Sequence, residues 1–309
     1  MTDEIRPRVD CETAQELLNA LSPLGPNFKD ASLSESWLFR GQGQDYPLIP
    51  SAFRSDDRLA SLLRRNIEDY SQRLLAERDV LTQFFSIADK RGLILPDDSQ
   101  ELRSKLETLS SIRGESFIGS AFEYWDPDKT ALSLTALAQH YGIPTRLLDW
   151  TRQSLIAAFF AAEDAINHLE QIEPSSSLVV WAFFFPALGR HDVIEKENDP
   201  IQIVTAPSAT NPNLKAQQAV FTLLNRHYTH EDKGTYRPME QILEELAGKL
   251  EQERVYPSIV GCKLQKFTLP VSEAKTLLFL LAKLDITPSY VYPGYHSIVR
   301  DIAMQKLWK

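Results

Sequence analysis

Leu178 to Phe185 reads Leu-Val-Val-Trp-Ala-Phe-Phe-Phe, apolar at every position. This run constrains the chain more than any other. A strand with one wet face alternates apolar and polar side chains. A run apolar on both faces therefore predicts a strand covered on both sides, at the centre of a sheet. The turn Pro174-Ser-Ser-Ser177 leads into it. Neither this stretch nor Thr276 to Leu284 reaches the ~20 apolar residues that a membrane-spanning helix needs. The expectation is a soluble, cytoplasmic protein with no membrane partner.

Around that strand the chain reads mostly as helix. Ala14, Leu17, Leu18 and Leu21 recur at i, i+3, i+4 and i+7, with Asp10 as a candidate cap and Pro23, Gly25 and Pro26 as the stop. Ser36 to Arg40 suits a short strand, and Gly41 to Pro50, with two Gly and two Pro, suits a loop. Leu63, Ile67, Tyr70, Leu74, Leu81, Phe84 and Ala88 predict one long amphipathic helix, broken by Gly92 and Pro96. Shorter helices follow near 99–109 and 114–124. Thr130 to Tyr141 is helical, with Leu134, Leu137, Ala138 and Tyr141 as its stripe. Gly142 provides a left-handed cap and Pro144 a stop.

Thr145 to Thr151 reads as extended and Ser154 to Asn167 as an apolar helix. Ile201 to Ala206 and Val220 to Leu224 suit strands, and Met239 to Lys249 a helix. Cys262 to Leu269 alternates as a half-exposed strand would. A helix from Ser272 to Leu284, an aromatic loop with Tyr290, Tyr292 and Tyr295, and a last helix complete the reading. The fold class is mixed α/β (α+β): helix-rich, with a modest central sheet and a helical insertion at about 57–130. Residues 1–30 read as an N-terminal helix and linker, and 31–309 as the main domain.

Net charge is −9 over 309 residues. Phosphate neutralisation supplies most of the affinity of a general nucleic-acid binder, so this balance lowers the expectation of DNA or RNA as a partner. Cys11 and Cys262 lie far apart and have no Cys or His at metal-ligand spacing, which predicts reduced thiols and no metal. His227 and His230 lack a third ligand. The sequence holds no Walker loop, dinucleotide glycine fingerprint or Gly-x-Ser-x-Gly elbow.

Three polar clusters remain. The first is Phe39-Arg40-Gly41-Gln42, running on through Tyr46 to Ser51 and Arg54. Arg40 stands at the mouth of a strand beside a glycine that lets backbone approach closely. That setting suits a guanidinium fork for carboxylate or phosphate, though an Arg-Gly pair alone is not specific and its spacing fits a structural ion pair better. The second is Gln139-His140-Tyr141 followed by Thr145-Arg146-Leu-Leu-Asp149-Trp150-Thr151. His140 lies off the apolar stripe, in a last helical turn where the helix dipole favours the protonated ring. Arg146 and Asp149 are three apart, so strand alternation sends them to opposite faces and each needs another partner. Arg40 is one candidate for Asp149. The third cluster is Lys215 to Thr222, where Gln217 or Gln218 can turn an amide toward the others.

Taken in order, these segments resemble the FRG domain, named for its Phe/Tyr-Arg-Gly motif. The matching pieces are Phe39-Arg40-Gly41-Gln42, Pro50-Ser51-Ala-Phe-Arg54, the run His140 to Thr151 with Ala157 to Ala161, and Gln218 with Phe221-Thr222. They cover roughly 31 to 295. The resemblance implies a bacterial or phage protein, often in a mobile-element or defence setting, and carries no settled activity. More loosely, an arginine on a first strand and a Thr/Asp-bearing strand after it are similar to ADP-ribosyltransferases, which grip NAD with a strand arginine. Those enzymes carry a late catalytic glutamate. Cys262 to Leu269 holds none, and Glu251, Glu253 and Glu273 only flank it.

Two readings follow. In the first, the chain is an NAD-consuming or ADP-ribosyltransferase-like enzyme that binds NAD or another phosphorylated nucleotide. His140 and Asp149 are then the acid–base candidates. Arg40, Gln42, Tyr46, Arg54, Arg146, Trp150, Thr151 and Gln218 are the binding candidates. In the second, it is a non-catalytic sensing or protein-interaction module whose Arg/His/Asp network only holds the fold. Under the first reading, Arg40→Ala should abolish activity and leave the melting temperature nearly unchanged.

Overall fold

The computed structural model describes residues 7–28, 37–56, 58–111, 130–173, 175–185, 200–205, 211–224, 236–253 and 262–308. Among the described residues, seven strands form one sheet: β1 (Arg8–Asp10), β2 (Trp37–Gln42), β3 (Leu148–Thr151), β4 (Ser177–Phe184), β5 (Ile201–Val204), β6 (Ala219–Leu224) and β7 (Lys263–Pro270). Their order is β1-β7-β4-β2-β3-β6-β5. Only β1 runs parallel to its neighbour, and every other pairing is antiparallel. The mixed α/β class therefore holds. The apolar run is β4, flanked by β2 and β7, with Leu178 to Phe183 buried on both faces.

Helices cover both faces. One cluster joins α1 (Ala14–Leu21), α6 (Ser154–Asn167) and α9 (Ala274–Ala282) to Phe39, Val180, Ala182 and Phe267. The opposite face sets Leu38, Trp150, Val179, Trp181 and Phe183 against α3 (Tyr70–Lys90) and α8 (Met239–Glu253). A third cluster packs α3, α4 (Gln100–Ser111) and α5 (Leu132–His140) together. Residues 8–21 belong to the same body, since β1 pairs with β7 and α1 sits in the first cluster.

Several elements differ from the sequence reading. The long helix expected from Leu63 is two: α2 (Arg58–Leu63) and α3. Arg64 adopts φ 51°, which a helix interior does not allow, and Asp69 starts a new helix by accepting from the Gln72 N–H. Thr13, not Asp10, caps α1. Tyr290 and Tyr295 lie in helices, α10 (Pro288–Val291) and α11 (Tyr295–Met304), where an aromatic loop was expected. β7 is mostly buried rather than half exposed, because α9 and α1 cover one face and Leu264 joins the opposite cluster. The helix expected near 114–124 and the pair His227 and His230 lie outside the described residues. Among the described residues, no helix is long and apolar enough to cross a membrane.

Glycine explains how closely β2 and α6 meet. A Cβ on Gly41 would lie 1.9 Å from the Ala157 carbonyl oxygen and 2.7 Å from the Ala161 nitrogen. The close approach expected at this glycine is real, but what approaches is the backbone of α6, not a ligand.

Candidate functional site

The two polar segments meet along β2 and β3. Their ladder is the single pair Phe39↔Thr151. That register puts Phe39, Thr151 and Asp149 on one face and Arg40 on the other. With no further rungs, the Arg40 side chain enters the space between the strands. Its Nη1 donates to the Asp149 carbonyl oxygen at 2.9 Å and lies 2.7 Å from the Asp149 carboxylate Oδ1. One guanidinium thus replaces a missing ladder bond and neutralises a carboxylate. Asp149 finds the partner expected of it.

The segment after β2 is fastened to the same place. Ser51 to Phe53 forms one 3₁₀ turn. The Ser51 hydroxyl accepts from the Thr145 N–H at 3.0 Å, and the Ala52 N–H donates to the Thr145 carbonyl at 3.0 Å. Arg73 of α3 donates to the Arg54 carbonyl at 2.8 Å. Arg54, partly buried, donates through Nε to the Ile49 carbonyl at 3.0 Å and has no carboxylate at ion-pair distance among the described residues. Burial pushes the Arg54 guanidinium down to about 10, and the Arg40 charge adds to that. It stays cationic at neutral pH.

Gln139, at the end of α5, joins the group. Its amide donates to Asp149 Oδ1 at 3.1 Å, and its carbonyl accepts from the Thr145 hydroxyl. The Asp149 side chain is 60% exposed while Arg40 is 9% exposed. A wet carboxylate therefore roofs a buried guanidinium. Crowding by surrounding protein tends to raise the Asp149 pKa. The charge and hydrogen bond of Arg40, with the Arg54 charge behind them, outweigh it and hold the carboxyl below its ordinary value. Arg58 and Asp56, paired with each other at 2.8 Å, also act on Arg54, so three cations meet two anions here, and Arg40 Nε is buried without a hydrogen-bond partner.

The other sequence candidates fall elsewhere. Arg146 is sealed, 2% exposed, against the fully buried Glu77 of α3 at 2.9 Å. The same carboxylate accepts from the Arg146 backbone N–H at 2.6 Å. This pair ties the segment before β3 to α3, and burial closes the guanidinium to a phosphate. Trp150 is buried, and its indole N–H donates to the Thr222 hydroxyl at 3.0 Å, so it offers no stacking face. Gln42 is buried and accepts from the Trp181 indole at 2.9 Å. Thr151 donates to the Gln217 carbonyl at 2.6 Å. Gln218 is exposed, at φ 46° in the turn before β6, and accepts from the Gln153 amide at 3.2 Å. Tyr46 and Tyr141 are 48% and 68% exposed and remain reachable. Glu273 accepts from the Ala14 N–H at 3.0 Å, a role at the start of α1.

His140 departs from the protonated ring expected at a helix end. Burial lowers its pKa, and the Asn213 amide nitrogen lies 2.9 Å from Nε2. With that amide nitrogen donating, Nε2 accepts, as it does in the neutral ring that the lowered pKa favours. Among the described residues the ring bonds to Asn213 of α7 (Pro212–Ala216), and no bond joins it to Arg40 or Asp149. Its neighbour Gln139 makes the link to Asp149 instead.

Residues 35–170 match the family model described as FRG domain. The chain contains an FRG domain. Arg40, Ser51, Arg54, Gln139, Thr145 and Asp149 all lie within the matched segment, whereas Gln218 and Asn213 lie outside it. No match was found among curated proteins or solved structures.

Proposed function

We propose that the FRG domain binds a phosphorylated small molecule, with NAD as the first candidate, at the Arg40–Asp149–Arg54 group. The observation that carries this reading is the charge imbalance: once Arg58 and Asp56 neutralise each other, Arg40 and Arg54 are left facing the single carboxylate of Asp149, which is the exposed member. An anion can take over from Asp149 without opening the core, because the carboxylate can swing to solvent while Arg40 stays anchored to the Asp149 carbonyl. Arg54 then gains the anionic partner it lacks. Exposed Tyr46 or Tyr141 supplies a stacking surface for a base. Transferase or NAD-cleaving chemistry, and a role in bacterial defence, rest on the family resemblance and on this charged group.

The test is a thermal-shift and calorimetric titration with NAD, ADP-ribose, ATP and inorganic phosphate, with nicotinamide release followed in parallel. Arg54→Gln should weaken binding at least tenfold. Asp149→Asn, which removes the competing charge, should tighten binding while ending any reaction that needs the carboxylate. No binding by any of these compounds at millimolar concentration would sink the proposal. Arg40→Ala is a poor probe. The residue is buried and holds a backbone carbonyl, so its loss should cost about 2–4 kcal/mol of stability. The melting temperature should fall, against the small change anticipated from sequence.

The interaction-module reading has its own support. Arg146 and Glu77 are sealed against each other, and the molecule carries an exposed apolar surface on α11.

A further inference from the structure

Helix α11 is amphipathic in the reverse sense. Ser297, Arg300, Asp301 and Met304 fall at i, i+3, i+4 and i+7 and form one face. That face meets the body. Ser297 is buried, Arg300 pairs with the Glu163 carboxylate of α6, and Met304 packs on the core. Asp301 accepts from the Ser289 N–H at 3.0 Å and from the Thr287 hydroxyl at 3.2 Å. Tyr295, Ile298, Val299 and Ile302 have the same spacing and form the opposite face. They are 90%, 47%, 64% and 59% exposed. A surface helix ordinarily buries its apolar stripe and wets its polar one. Here polar anchors hold the helix down and four large apolar side chains face outward.

From this reversal we infer that α11 is the contact surface of a homodimer, pairing antiparallel with α11 of a second copy about a two-fold axis near Ile298 and Val299. Three features favour a second copy. The outward stripe carries no charge, so placing it on itself brings no like charges together. It is two helical turns long and matches its own reverse, with Tyr295 of one copy opposite Ile302 of the other, as an isologous contact requires. The four side chains expose on the order of 500 Å² per copy, so a pair buries about 1,000 Å², near the threshold for a specific association. A lipid surface fits less well. Interfacial helices flank the apolar face with Lys and Arg. Here Arg300 is bound to Glu163, and the whole chain carries −9.

Sedimentation velocity between 1 and 200 µM tests the inference on the full chain. The expected result is a concentration-dependent species of twice 35.1 kDa. Ile298→Asp should weaken self-association at least tenfold and leave the melting temperature of the dilute protein unchanged, since Ile298 is not part of the core. Ile94→Asp, at a 78% exposed isoleucine after α3, should leave self-association intact. A monomer at every concentration would overturn the inference. So would a dimer that survives Ile298→Asp, or one that Ile94→Asp also dissociates. Binding of anionic phosphatidylserine vesicles by a chain that remains monomeric would point to a membrane surface instead.

Discussion

At the scale of single residues, the chain separates two of its motif arginines, Arg146 and Arg40, by what faces them. Arg146 meets a fully buried glutamate, and Arg40 meets a wet aspartate. A charge left alone in the interior is far more costly than one at a surface. Glu77→Ala should therefore destabilise the protein by about 3–5 kcal/mol, measured by urea unfolding. A loss of under about 1 kcal/mol would show that Arg146 finds compensation elsewhere. Glu77 was legible in outline. It falls on the buried stripe between Leu74 and Leu81, and a carboxylate on an apolar face calls for an internal cation. What no spacing gives is that the cation comes from a segment 69 positions away. The pairing of Asp149 with Arg40 was within reach, because alternation had already separated Asp149 from Arg146. Gln139 was not singled out. Nothing local distinguishes a glutamine at a helix end until the strand it leans on is in place.

His140 gives a pH dependence with a definite sign. Burial lowers its pKa from the ordinary 6.5, so the folded ring takes up a proton less readily than the unfolded chain does. Protonation then favours unfolding. The contribution is fully present above about 6.5 and is lost as pH falls through the lower folded value. The melting temperature should drop between pH 7.5 and 5.5, and His140→Gln should flatten part of that slope. An unchanged slope would mean that other groups set it.

At the scale of elements, legibility followed burial. α6 runs from Ser154 to Asn167, as its apolar sequence indicates, and β4 lies at the sheet centre, as its two-sided hydrophobicity requires. Elements whose pattern depends on neighbours were harder. The stripe from Leu63 to Ala88 continues across a real break at Arg64, because a periodic stripe records which side is buried and not whether the backbone is continuous. β1 is three residues long and acquires its meaning only from β7. The contact of β2 with α6 sets the tightest demand. Gly41→Ala would place a methyl 1.9 Å from a carbonyl oxygen, where only backbone can yield. A stability loss of about 3 kcal/mol, or insoluble expression, is expected. Wild-type stability in purified Gly41→Ala would mean that α6 sits farther from the strand.

For the whole molecule, stability should be distributed as the layers are. β4 pairs along its length with β7 and over six positions with β2, under helices on both faces. Its amides can exchange only when the sheet opens, so they should report the global unfolding energy. α11 lies at the other extreme, with Ser297 as its one buried residue and polar contacts as its main attachment. Few buried apolar contacts mean a low local opening energy, so its amides should exchange orders of magnitude faster than those of β4 in dilute protein. If a second copy covers Tyr295, Ile298, Val299 and Ile302, that contrast must shrink as concentration rises, because mass action stabilises the covered state. Hydrogen exchange followed by mass spectrometry at 2 and 100 µM separates the cases. Slowing confined to α11 and its neighbour α10, with β4 unchanged, follows from self-association through this helix. Slowing spread evenly over the chain, or none, follows if α11 stays bare.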